Sequence, residues 1–265
     1  MKESSYKAAD LHTHTNFAYC SENVTPEGSI KRAAEKGLGM IAFTEHAGQL
    51  YVSSKDYWAG KFIDDTGIMA MNRETPLNRM PDYRRTVEKF RSPQVLVGVE
   101  AEVDCNGRLT LFEEDMNCWD IVVGAVHFLP AVYEPGSEAG FMWANEMLLR
   151  AGVDVLAHPF RYFQKKKKEV PKHLFRPLAE MLAQYGAAAE LNFHKNENDP
   201  LFYEECLKQG VRISFGSDAH NLDEVGAFEK YYSFMEMIIP FEQPEQAGKI
   251  YEKILYRGRR VAQAQ

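Results

Sequence analysis

The sequence predicts an α/β fold on parallel strands, either an open sheet or a closed barrel. Three observations lead there. Short apolar runs rich in β-branched residues recur about seven times along the chain. Segments with helical spacing lie between most of them, several opened by a capping residue or proline and closed by glycine. All of the eight histidines except His173 fall at or just past the end of such a run, where parallel architectures gather their functional side chains.

The expected strands are residues 6–11, 40–44, 95–99, 121–126, 154–157, 187–191 and 212–215. Between the first two, Thr25 caps a helix with Pro26 at its first position, running to Lys36 and stopped by Gly37. A threonine hydroxyl accepts from the orphan amides of a first turn, and proline there lacks only an N–H that would have no partner. Further helices are expected over 137–151 before Gly152, over 171–185 before Gly186, and from Asp199-Pro200 to a stop at Gly210. Asn106-Gly107 reads as a hairpin turn. Beyond Asp223 the pattern weakens until a last helix near 244–256, with Pro244 in its first turn.

Residues 47–94 break the alternation, with one helical pattern at 82–90. An excursion of this kind on the loop side of a barrel more often shapes a substrate pocket than forms a second domain. Residues 1–265 are therefore expected to be one domain with a 47–94 insertion. Tyr51, Tyr57, Trp58, Arg73, Arg79 and Arg84 are its candidates for stacking on a ring or binding phosphate, although packing and surface roles are the commoner fate of such residues.

The composition, 45% hydrophobic and 26% charged over 265 residues, is that of a globular protein. Thirty-eight acidic against 31 basic residues give a net charge of -7. That sign brings no long-range attraction to nucleic acid or anionic lipid, so neither is an expected partner. No apolar run approaches the ~20 residues of a membrane span, and the polar N-terminus lacks a signal peptide's apolar core. Cys20, Cys105, Cys118 and Cys206 are widely spaced, without a CxxC. They read as reduced thiols, so the expected location is cytoplasmic.

The chemistry sits at the strand ends. In order they read Asp10-Leu-His12-Thr-His14, Thr44-Glu45-His46, Val99-Glu100, Val126-His127, Ala157-His158-Pro159, Glu190-Leu-Asn192-Phe-His194 and Gly216-Ser-Asp218-Ala-His220. A lone histidine at a strand end is usually hydrogen-bonded or solvent-facing, and a lone carboxylate is usually a cap. Imidazoles and carboxylates at nearly every strand end are another matter, because burying them together without a cation leaves desolvated, mutually repelling groups. Clustered metal ions remove that cost. His12 and His14, two apart in a strand, can face one ion, and Asp218-x-His220 repeats the spacing. Nitrogen and oxygen donors suit Zn, Mn or Fe.

These motifs in this order resemble the PHP (polymerase and histidinol phosphatase) superfamily of metal-dependent phosphoesterases. Gly124-Ala-Val-His127-Phe-Leu, Glu190-Leu-Asn192 and the segment 214–226 resemble its histidinol-phosphatase branch. The resemblance runs from Asp10 to Gly226. It implies a distorted seven-stranded (β/α) barrel, similar to a TIM barrel, with two to three divalent ions at the C-terminal strand ends. By the same resemblance, His12, His14, Glu100 and Asp218 hold one ion. His46 and His220 hold a second, and His127 and His158 with bridging Glu100 a third. Many members carry another histidine where this chain has Cys20; either Cys20 or Glu22 stands in for it, or the second site is weaker and Cys20 is a plain buried thiol. The branch's phosphate-binding arginines point to Arg161 and Lys195, although their spacing matches poorly and lysine binds phosphate without arginine's two-pronged fit. His194 lies outside the three-metal set and is a candidate substrate contact or general acid. The run Lys165 to Lys168 reads as a solvated loop with a lesser role in attracting anions.

The expected reaction is hydrolysis of a small phosphomonoester, L-histidinol phosphate leading, by a water deprotonated between two ions. Arg161 would hold phosphoryl oxygens, His194 would protonate the leaving group, and Asp218 would serve at the ions. Asp10 and Glu45 are candidates for orienting the imidazoles, or plain caps. The competing readings are a metal-dependent amidohydrolase, a nucleotide or protein-tyrosine phosphatase of the same superfamily, and a non-catalytic metal-binding regulator.

Overall fold

A computed structural model describes residues 8–238; the helix expected near 244–256 lies outside the described residues, as do positions 6 and 7 of the first expected strand. Every apolar run forms a strand: β1 Ala9–Thr13, β2 Met40–His46, β3 Val95–Ala101, β4 Ile121–Gly124, β5 Val155–Leu156, β6 Ala188–Leu191 and β7 Ile213–Phe215. They pair in parallel in chain order. The chain beyond β7 returns to β1 through a parallel bridge between Thr13 and Ala219, with Asp218 N–H donating to His12 O at 2.7 Å and His14 N–H to Ala219 O at 3.1 Å. The result is a nearly closed, distorted (β/α) barrel of seven strands.

Strand alternation divides the apolar residues between two layers. Ala42, Leu96, Ile121, Val123, Val155 and Ala188 belong to a small cluster supplied only by strands and their extensions, the barrel interior. Their neighbours Ile41, Phe43, Val95, Val97, Val122 and Ala189 pack outward with the helices. Among those helices, α1 Pro26–Glu35 is capped by the Thr25 hydroxyl, which accepts from Gly28 N–H. The five short helices α2 Ala47–Tyr51, α3 Ser54–Trp58, α4 Lys61–Asp64, α5 Gly67–Asn72 and α6 Met80–Val87 build the excursion. Only the last carries a readable period, because helices of four to six residues are too short for an apolar face to repeat.

The remaining helices are α7 Glu138–Arg150, α8 Arg161–Lys165, α9 Phe175–Tyr185, α10 Pro200–Lys208 and α11 Glu229–Ile238. Ser137 and Asp199 cap α7 and α10, accepting from Gly140 and Leu201 N–H. Gly186 ends α9 in the left-handed conformation at φ +68°. The expected helix at 171–185 begins later, a 3-10 turn over Lys172–Leu174 leading into α9. The short α8 and the aromatic-rich α11 were not legible in the sequence. At Asn106-Gly107 the chain turns as expected, with Val103 and Leu109 bridged antiparallel. Among the described residues no helix is long and apolar enough to cross a membrane.

Candidate metal centre

Following the interior parity up each strand leads to the site. From Ala42 it reaches His46, from Leu96 it reaches Glu100, from Val123 it reaches His127, and from Ala188 it reaches Glu190 and Asn192. Two strands need a correction. On β1, Ala9 and Leu11 lie in the interior cluster, and a register irregularity between Asp10 and Thr13 lets His12 and His14 face the centre. On β5, Val155 and Ala157 are interior, and His158 joins the site with φ +31°. Phe160, Asp218 and Lys195 are also left-handed, at φ +67°, +52° and +49°. His158 and Asp218 are thus strained non-glycine residues at the centre itself, each held by surrounding hydrogen bonds, the kind of strain that collects at functional sites.

Glu100 is the centre of the assembly and fully buried. Its Oε1 lies 3.0 Å from His158 Nε2, 3.5 Å from His127 Nε2 and 3.6 Å from His12 Nε2. Its Oε2 lies 2.5 Å from His46 Nδ1 and 3.9 Å from His14 Nε2. Asp218 Oδ1 is 2.8 Å from His14 Nε2, 3.7 Å from His220 Nδ1 and 3.8 Å from His12 Nε2. Candidate ligand atoms of His12, His14 and Glu100 fall within 4.8 Å of one another, as do those of His14, His46 and His220 and those of His46, Glu100 and His127. All eight histidine and carboxylate ligands expected from the motifs thus meet in one place. Two of the groupings differ from expectation: His14 joins His46 and His220, and His46 stands beside Glu100 and His127.

The donor set fits divalent cations. His12 Nε2 is buried and makes no hydrogen bond, a deficit of ~1–3 kcal/mol for an orphaned group in a protein interior. The far nitrogens are held: Glu190 Oε1 accepts from His12 Nδ1 at 2.8 Å, Glu45 Oε1 from His14 Nδ1 at 3.1 Å, and Glu102 Oε1 from His127 Nδ1 at 3.0 Å. His220 Nδ1 donates to Asp218 O at 2.7 Å. Carboxylates behind imidazoles fix the ring and tautomer that present Nε2 to an ion. Glu45 was expected in this role. Glu102 and Glu190 were not, yet Glu100-x-Glu102 and Glu190-x-Asn192 carry the same two-residue spacing as His12-x-His14. Asp10 meets no imidazole; it accepts from Ser217 and Gly226 N–H at 2.9 and 3.0 Å, latching the loop after β7 to β1.

Burial opposes ionisation of both central carboxylates, but His127, His46 and His12 around Glu100, and Arg161 and His12 around Asp218, hold them well below the usual range. Burial would also lower His12 and His14. Glu190, Glu100 and Asp218 nevertheless raise His12 well above its ordinary value, and Asp218 and Glu45 raise His14 to about 9. Burial wins at His46, His158 and His220, the last pushed down to about 2. Protons on His12 and His14 thus balance a carboxylate-rich pocket in which the His46, His158 and His220 rings stay neutral.

Close approach here requires glycine at 216. A Cβ on Gly216 would fall 1.8 Å from Glu190 Oε1 and 2.6 Å from His12 Cβ.

The other expected site residues divide. Arg161 is buried; Nη1 donates to Asp218 Oδ2 at 2.6 Å, and Nη2 to Asn192 Oδ1 at 2.8 Å and His194 O at 2.7 Å. His194 stacks on His220 at 4.8 Å between ring centroids, and its Nδ1 lies 3.4 Å from Glu224 Oε1. Lys195 is exposed on the same loop. Cys20 Sγ lies 3.8 Å from His46 Nε2 and receives Gln49 Nε2 at 3.8 Å, while burial pushes its thiol up to about 12. Glu22 is exposed. Of the two stand-ins, Cys20 is the one beside the centre.

Within the excursion, Tyr57 alone of the named residues touches an imidazole, its hydroxyl 3.1 Å from Glu102 Oε1 and 3.5 Å from His46 Nδ1. Tyr51 donates to Asp115, and Arg73 pairs with Glu114. Arg79 stacks on Tyr19 at 4.2 Å and donates to Phe17 O and Gln49 O. It clamps the loop that carries Cys20.

Curated relatives cover most of the chain. A "Probable phosphatase" of Acetivibrio thermocellus is 29% identical over 240 residues, 86% of each chain. A second of that description, from Caldanaerobacter subterraneus subsp. tengcongensis, is 26% identical over 240 residues, 86% of this chain and 82% of its own. The barrel superposes on the crystal structure of histidinol phosphate phosphatase from Lactococcus lactis, complexed with zinc, L-histidinol and phosphate, with a TM-score of 0.52. That pair is 17% identical, covering 88% of this chain and 94% of the other, a likeness of fold. The PHP domain model matches residues 10–194, from β1 into the loop after β6, well over half of the sequence. The chain therefore belongs to the PHP domain family.

Proposed function

We propose that this protein is a metal-dependent phosphatase of small phosphomonoesters, with L-histidinol phosphate the first substrate to test. The observation that carries the reading is Glu100, one buried carboxylate with five imidazoles within 3.9 Å. Such an arrangement suits ions shared across a bridging carboxylate. The phosphatase relatives and the zinc, histidinol and phosphate bound by the Lactococcus neighbour support the chemistry.

Two to three divalent ions would be held by His12, His14, Glu100 and Asp218, by His46 and His220, and by His127 and His158 with Glu100. Zinc is the leading identity, with Mn and Fe behind it. Cys20, with Sγ 3.8 Å from His46 Nε2, would share an ion with His46 and supply it a thiolate. Bound ions supply positive charge for the phosphoryl oxygens and bring a water's pKa toward neutrality.

The chain's own residues do the rest. Arg161 holds Asp218 through Oδ2 and keeps Oδ1 turned to the imidazoles, and its Nε–H, buried without a partner, is left to meet a phosphoryl oxygen. His194, steadied by Glu224, donates the proton to the leaving alkoxide. The bridging position that a metal-dependent amidohydrolase gives to a modified lysine is filled here by Glu100.

The test is metal content by elemental mass spectrometry, paired with phosphate release over a phosphomonoester panel that includes histidinol phosphate. Two to three ions with preferred hydrolysis of histidinol phosphate support the whole reading. Activity confined to other esters removes the named substrate, and no stoichiometric metal after reconstitution overturns the reading.

A further inference from the structure

Tyr57 comes from the excursion and not from a barrel strand, yet its hydroxyl lies inside the centre. The local sequence places it. The Ser53 hydroxyl accepts from Asp56 N–H and opens the single turn of α3, and Tyr57 N–H donates to Ser53 O at 2.9 Å. The ring is fully buried. It stacks on Phe62 at 5.2 Å between centroids and stands edge-on to Phe128 at 5.8 Å. Gly48 makes the room: a Cβ there would fall 2.7 Å from the Phe62 ring and 3.1 Å from the Tyr57 ring. A ring packed on several sides fixes where its hydroxyl points.

That hydroxyl connects two of the candidate ligands. It donates to Glu102 Oε1 at 3.1 Å, and the same oxygen accepts from His127 Nδ1 at 3.0 Å. Its one proton is spent there, so toward His46 Nδ1, 3.5 Å away, it is left as an acceptor. Thr110 steadies Glu102 from the far side: its hydroxyl donates to Glu102 Oε2 at 3.3 Å and accepts from Glu102 N–H at 3.2 Å. The bonds form one chain, from His46 through Tyr57 to Glu102, which His127 enters from its other end. His12 and His14 each have a carboxylate of their own behind Nδ1. His46 Nδ1 has the tyrosine, with Glu100 Oε2 at 2.5 Å beside it, while His46 Nε2 turns toward Cys20.

We propose that Tyr57 is a positioning residue of the metal centre, its hydroxyl holding His46 directly and His127 through Glu102. The excursion is thereby part of the centre as well as a wall beside it. The proposal rests on the metal-dependent reading of the site. Groups behind a ligating imidazole fix its tautomer and ring direction, and one hydroxyl here does so for two rings that belong to different ions. Removing it loosens both ions and leaves the carboxylates behind His12 and His14 in place.

The experiment compares wild type with Y57F, which keeps the packed ring, and with Y51F. Tyr51 is an equally buried tyrosine of the excursion whose hydroxyl donates to Asp115 instead. Zinc affinity is read by competition with a chromophoric chelator, zinc content by elemental mass spectrometry, and ligand geometry by the visible spectrum of the cobalt-loaded protein. Loss of such support weakens metal binding by ~10–100-fold. Y57F should show a loss of that size at part of its zinc complement, with altered cobalt bands. Y51F should match wild type in all three. Wild-type affinity and spectrum in Y57F, or the same loss in Y51F, overturns the assignment. Stoichiometric zinc in the wild type without turnover of any phosphomonoester removes the phosphatase reading, and the loss in Y57F still carries the role of Tyr57. No stoichiometric zinc in the wild type overturns both.

Discussion

The Arg161 guanidinium lies 2.6 Å from Asp218 Oδ2, while Asp218 Oδ1 stays 2.8 Å from His14 Nε2. One carboxylate thus faces a permanent cation on one side and candidate metal ligands on the other. The pair bridges the loops after β5 and β7, and Asp218 holds its part of it at φ +52°.

Breaking that pair should be costly in both senses. R161A leaves a buried carboxylate without its partner, a change that destabilises by ~3–5 kcal/mol. Thermal unfolding of the metal-free protein should show a clear drop in Tm, and R161K should recover only part of it, since lysine cannot span Asp218, Asn192 and the His194 carbonyl together. A Tm within a degree or so of wild type in R161A would contradict the bridge.

Glu190 is expected to control metal affinity without touching an ion. It accepts from His12 Nδ1 and, at 2.6 Å, from His158 N–H. E190Q should weaken metal binding by ~10–100-fold, read by competition with a chromophoric chelator. Equal affinity in wild type and variant would show that the His12 ring needs no such support.

G216A tests packing. The added Cβ has nowhere to go between Glu190 and His12, so it should destabilise by at least ~1–3 kcal/mol and reduce retained metal together. A variant with lowered stability and full metal content would separate the two effects.

Proton linkage gives a pH prediction. The His14 pKa is raised to about 9, so its contribution to the metal-free fold is fully present below the unfolded value of about 6.5 and is lost as pH rises through 9. Glu45 is lowered to about 2 against burial, chiefly by its hydrogen bond to His14. Its contribution is present above about 4.5 and is lost as pH falls toward 2. After chelation, stability should therefore fall on both sides of a middle range. Because an imidazolium must lose its proton to ligate, metal loading near pH 7.5 should release protons into a weakly buffered solution. Metal affinity should rise with pH. Loading without proton release would contradict the charge state drawn here.

Cobalt substitution tests Cys20. If its sulfur joins His46 on one ion, the cobalt-loaded protein should show a thiolate charge-transfer band in the near ultraviolet that C20S lacks, and bound zinc should protect the thiol from alkylation. The same spectrum in both proteins would leave Cys20 as a buried thiol.

The histidines show how much of the centre was legible. His46 and His127 follow from strand parity alone, as does Glu100, and the outlier His173 is exposed and pairs with Glu138 on the surface. The same parity contained Glu190 and Glu102, but a carboxylate near a strand end has too many ordinary uses to be singled out without its partner. His12, His14 and His158 lie close in sequence to strands whose regular alternation would turn them elsewhere. The β1 irregularity and the left-handed backbone at His158 bring them in, and no local sequence pattern marks either.

The sequence by itself determined the seven strands and their parallel class, because apolar runs and capping residues act over a few positions and repeat along the chain, and its strand-end motifs pointed to the family. It also determined which side chains gather at the strand ends. Only the tertiary structure decided how they divide: which carboxylates sit behind imidazoles, that Arg161 is committed to Asp218, and that Cys20 rather than Glu22 stands beside His46. Those outcomes depend on contacts between residues up to some two hundred positions apart, such as Ser217 with Asp10 and Asp218 with His14. Such contacts follow from barrel closure and loop strain, which no stretch of local sequence encodes.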